Sequence, residues 1–106
     1  MGAQEFFSTA TGKDAGDAFK RCVEEAQYEH GHGGYGGTIA EKSEFRLAAD
    51  KPLPKKEALA LAEIHISDHM SPFNDKWGPA GCIEIEGPKP RGDEPRRFLF
   101  FGWALS

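Results

Sequence analysis

The four histidines fall into two pairs, His30-x-His32 and His65-x3-His69. The first pair can chelate a metal from a loop; the second lies one helical turn apart, a spacing used in zinc sites. Asp68 adds an oxygen donor, although its helical direction is about 100° from that of His69. Three such ligands with an open position would suit a metal-dependent hydrolase, and four would suit a structural ion. Ordinary packing accounts for the same residues. His30 continues the apolar stripe of one helix, and His65 and His69 flank the inner face of another. The expected cofactor set is therefore none, with zinc on His30, His32, His65 and His69 as the alternative.

The second chemical feature is the segment 28–42, which holds five of the thirteen glycines between positions 31 and 37. Glycine at that density costs too much backbone entropy for a helix or strand. Bare backbone N–H groups can cradle an anion, but phosphate loops precede a helix N-terminus, and these glycines follow a helix. The Gly-Lys-Ser/Thr ending of a Walker loop is also missing. What remains is a surface built by His32, Gly33, Gly34, Tyr35, Gly36, Gly37 and Thr38, with Lys42 supplying a positive charge. A second loop, 74–81, carries Asp75, Lys76 and Trp77. An indole there either caps the core or stacks on a ligand.

Other constellations are weaker. Cys22 sits on a helical packing stripe and Cys82 opens a strand, the usual positions of inert buried thiols. A nucleophile elbow of the Gly-x-Ser-x-Gly type is not found. The aromatic run Phe98-Leu99-Phe100-Phe101 suggests RNA-stacking strands but lacks their glycine signature. With a net charge of −4, nucleic acid is not an expected partner.

The elements that must position these residues are legible in outline. The 106 residues suffice for one domain, 1–106, with a modest core. Apolar residues at 15, 18, 19, 22, 23 and 26 mark an amphipathic helix over 15–30, closed by Gly31. Pro54 starts a second helix over 55–69 that ends before Ser71-Pro72; a strand at 63–67 is the alternative. Its inner face should centre on Leu59, with Ala62, Ile66 and Met70 beside it. Strands are expected at 4–9, 38–42, 44–48, 82–86 and 98–103, with Ile39, Phe45 and Leu47 facing the core. The last is apolar on both sides and belongs in the middle of the sheet. The resulting β-α-β-β-α-β-β order implies an α+β fold: two helices on one face of a mainly antiparallel sheet of about five strands, a ferredoxin-like variant. No apolar run approaches a membrane span of about 18 residues. Two widely spaced cysteines and the lack of a signal-peptide pattern suggest a reducing, cytoplasmic setting.

Two stretches resemble small proteins encoded by tailed bacteriophages, prophages and some bacteria. They are Tyr28-Glu29-His30-Gly31-His32 running through Gly34-Tyr35-x-Gly37-Thr38-Ile39-Ala40-Glu41-Lys42, and Asp75-Lys76-Trp77-Gly78-Pro79-Ala80-Gly81. The resemblance takes in most of the chain, including the preceding helix and Phe100-Phe101-Gly102-Trp103. It implies a phage-related setting in the host cytoplasm and transfers no catalytic residue. The expected function is a non-enzymatic binding module that takes a small anionic, nucleotide-like ligand or a host protein through 31–38 and 74–81. An inhibitor of a host factor is a further alternative.

Overall fold

The computed structural model describes residues 3–30, 39, 42, 44–68, 70–71, 73–74, 78–86 and 96–105, with the backbone alone at 3, 29, 30 and 105. Strand β1 spans Ala3–Gly12 and leads directly into helix α1, Ala15–His30. The turn between them is fixed by two aspartates. Asp14 Oδ1 accepts the Asp17 N–H at 2.8 Å, and Asp17 Oδ2 accepts the Lys13 N–H at 3.0 Å. This reciprocal arrangement satisfies donors that a helix start leaves open.

Strand β2 is short, Phe45–Leu47, and helix α2 follows at Lys55–Ser67. It ends two residues earlier than the proline rule predicts, because Asp68 turns extended at φ −92°, ψ 109°. Residues 63–67 are helical, so the strand alternative is wrong. The buried stripe is Ala58, Ala62 and Ile66, whereas Met70 lies beyond the helix and is exposed. Strands β3, Ala80–Ile85, and β4, Arg96–Leu105, complete the sheet.

The strand order is β1-β4-β3-β2, with β2 and β3 parallel and the other two pairs antiparallel. The sheet is thus mixed, with four strands among the described residues. The strand expected over 38–42 is absent where described: Ile39 sits in a helical turn whose carbonyl accepts the Lys42 N–H at 2.9 Å. Leu47, expected in the core, is exposed on the edge strand β2, while Ile39 is buried and Phe45 half-buried.

The larger correction concerns the helices, which cover opposite faces. Alternate residues of a strand point to opposite sides. Phe98, Phe100 and Ala104 pack with Ala18 and Cys22 of α1. Leu99 and Phe101 pack with Ala58, Ala62 and Ile66 of α2. The topology accounts for this. From β1 the chain crosses the whole sheet to β2 by way of α1, then steps back to β3 by way of α2. Crossovers of one hand that step in opposite directions must lie on opposite faces. The ferredoxin-like plan, with both helices on one side, does not apply.

Both faces use one packing device. In the β3–β4 register Gly81 lies opposite Phe101, and the ring fills the glycine's place; a Cβ at Gly81 would come within 2.2 Å of it. In the β1–β4 register Phe6 lies opposite Gly102, where φ is +155° and a Cβ would stand 3.3 Å from the Phe6 ring. An aromatic side chain thus covers each strand glycine from the neighbouring strand.

Candidate functional site

Strands β2 and β3 are parallel neighbours, so the connectors that feed them, 31–44 and 68–79, enter the sheet at the same end. Two hydrogen bonds tie the first connector to the start of β3 and to the second connector. The Ala80 N–H donates to the Glu44 carbonyl at 3.0 Å, and the Lys42 ammonium donates to the Gly78 carbonyl at 2.8 Å. Lys42 is only 5% exposed, unusual for a lysine, and its Cε lies 3.8 Å from the position a Cβ would take on Gly102. Its aliphatic stem therefore crosses the α1 face of the sheet beside Phe6, while its charge reaches the second connector.

The second connector is tied to the end of α2. The Ile66 carbonyl, one of the last in the helix, accepts from Trp103 Nε1 at 3.1 Å and from the Asn74 side-chain amide. Helix ends need such partners. Asp68 Oδ1 accepts the Met70 N–H at 2.9 Å, and Ser71 Oγ accepts the Phe73 N–H at 3.2 Å. Sequence reasoning missed Ser71, Asn74 and Trp103. The Ser-Pro pair and the asparagine just past the helix were the only local signals, and Trp103 reaches across from another strand.

His65 belongs to this knot. Its Nδ1 lies 2.8 Å from Ser71 Oγ, and its ring sits edge-on to Phe73 and stacked near Phe101, with centroids at 5.1 and 5.9 Å. Packing and one hydrogen bond thus account for its position. Its sequence partner His69 and the histidine at 32 lie outside the described residues, as does the side chain of His30. Among the described residues no group of three or more potential metal ligands comes together.

Most of the predicted binding residues also lie outside the described set: His32, Gly33, Gly34, Tyr35, Gly36, Gly37, Thr38, Asp75, Lys76 and Trp77. Lys42 is described, and its ammonium is spent on the Gly78 carbonyl rather than directed at bulk solvent.

The two thiols are packing groups. Burial pushes Cys22 up to about 11, with the nearby Glu25 charge adding to the effect and a hydrogen bond with Ser8 opposing it. Burial pushes Cys82 up to about 12, with Glu84 adding to it. Neither forms thiolate at neutral pH, and a nucleophilic role needs one.

Comparison with family models, curated proteins and solved structures finds no match for this chain. No described helix is long and apolar enough to cross a membrane.

Proposed function

We propose that this protein is a binding module whose contact surface is the end of the sheet where the two connectors meet. The observation that supports this reading is the hydrogen bond from Lys42 to the Gly78 carbonyl, which ties the exit of the glycine-rich segment to the start of β3. In this reading 31–38 and 74–81 act together, with Tyr35 and Trp77 as the contact aromatics.

Of the two occupant classes, a protein partner fits better than a small nucleotide-like anion. Both α1 and α2 run back along strands parallel to β1, so their C-terminal ends face this end of the molecule. Carbonyl ends repel anions, and a buried cation such as Lys42 is the natural complement to them. A phage-related setting, carried by the resemblance of the two stretches, makes that partner a host protein.

Thermal melting against a panel of nucleotides and cyclic dinucleotides tests the choice. A small ligand at 100 times its dissociation constant adds about 2.7 kcal/mol, and the protein-partner reading expects no such gain. On that reading, Tyr35→Ala and Trp77→Ala each abolish capture of the same partner while the melting temperature holds. Loss of capture in only one of them would separate the two segments.

A further inference from the structure

The side of the sheet away from β2 ends in β1. Among the described residues nothing lies beyond β1, so alternate residues of this ten-residue strand turn their N–H and C=O groups outward. Natural edge strands defend themselves with lysine, proline, bulges or shortness. Over 3–12 there is no lysine or proline, and the register with β4 runs through ten pairs without a bulge. The only charged side chain in the strand is Glu5. Phe7 projects on the α2 face, which α2 leaves uncovered at β1, and remains 38% exposed.

We propose that a second copy of this chain pairs with β1, antiparallel about a two-fold axis through Phe7, to make one continuous eight-stranded sheet. The strand is self-complementary in this register. Phe7 meets Phe7 of the second copy on the α2 face, which covers both exposed rings. Glu5 falls opposite Thr9 of the second copy rather than opposite its own copy, so the single charge meets no like charge.

The charges also match. A cleft of about 400 Å³ opens beside this edge, lined by Thr9, Ala10, Thr11, Arg21, Glu25 and Arg97. Thr11 lies opposite Arg97 in the β1–β4 register, and odd positions of β1 share one face, so Glu5 of the second copy points to the same side as Arg97. Arg97 lies two strands over and two residues along from it, about 12 Å at ordinary strand spacing and rise, a span that an arginine and a glutamate side chain bridge together. Neither Glu5 nor Arg97 has an ion pair among the described residues. The two-fold axis makes this contact twice.

Sedimentation of the whole chain over a concentration series tests the proposal. The wild type should reach twice the 11.6 kDa chain mass. Phe7→Lys should remain monomeric and folded by circular dichroism, since the side chain it replaces is partly exposed. Glu5→Arg and Arg97→Glu should each weaken the dimer about tenfold or more, and the two together should restore it. A wild type that stays monomeric at every concentration would overturn the proposal. So would a dimer indifferent to Phe7→Lys, or a charge swap that fails to rescue.

Discussion

The two faces of β4 solve the same problem with different chemistry. Each sets an aromatic ring over a glycine on the neighbouring strand: Phe6 over Gly102 toward α1, and Phe101 over Gly81 toward α2. The α1 face is centred on two thiols and a cluster of Phe19, Phe45 and Phe100 at centroid distances of 5.0 to 5.9 Å. Its charged groups are the buried Lys42 at one rim and, toward the other, the more exposed Glu84–Arg96 ion pair, with Arg96 over the Phe98 ring. The α2 face is closed by side-chain hydrogen bonds: His65 with Ser71, and Trp103 and Asn74 on the Ile66 carbonyl. The contrast suggests a division of labour. The α2 side locks its own helix end, while the α1 side uses one buried cation to bind the two connectors together.

The largest expected effect comes from the shared device. Gly81→Ala forces the Phe101 ring from its seat and should cost about 3 kcal/mol, the upper end for overpacking. Gly102→Ala, with a Cβ contact of 3.3 Å and a φ that L-residues avoid, should cost about 2 kcal/mol. Urea denaturation of both variants checks the order. A smaller loss at Gly81 would mean the α2 face is the more pliable one.

Next comes the rim. Lys42→Met keeps the stem and removes the ammonium, and should cost about 2 kcal/mol, as for a hydrogen bond involving a charged group. Trp103→Phe removes only the indole donor to Ile66 and should cost about 1 kcal/mol. If the second loss exceeds the first, the α2 cap, and not the lysine, is the stronger tie.

The thiols give the smallest effect and a sign. Cys22 and Cys82 titrate near 11 and 12 in the fold against an ordinary value of 9.0. The folded state therefore holds its protons more tightly than the unfolded chain. Their contribution is complete below pH 9 and is lost as pH rises through about 11 and 12. Stability should fall across that window in the wild type and fall less in Cys22→Ala. Equal slopes would place the alkaline transition elsewhere.

What the sequence revealed follows the strength of local signals. Helix α1 was legible to its ends because its apolar spacing and capping residues are contiguous. The central place of β4 was legible from Phe98-Leu99-Phe100-Phe101, which is apolar on both sides. The same run implied cover on two faces, yet the helices were expected on one. Their placement depends on β2 lying at the far edge, and three residues of β2 carry no signal for that. Lys42 read as a free charge because nothing in a polar run marks one lysine as buried. The interior of the glycine-rich segment and Asp75, Lys76 and Trp77 lie outside the described residues, so the binding surface rests on the two ends that hold it.

Hydrogen exchange on the wild type and Lys42→Met tests that coupling most directly. The position-42 amide reports one connector through its bond to the Ile39 carbonyl, and the Ala80 amide reports the other through its bond to Glu44. Both amides should lose protection together, about tenfold or more, while β1–β4 amides such as those of Ser8 and Phe100 are unchanged. Loosening of one connector alone, or no change at either, would contradict it.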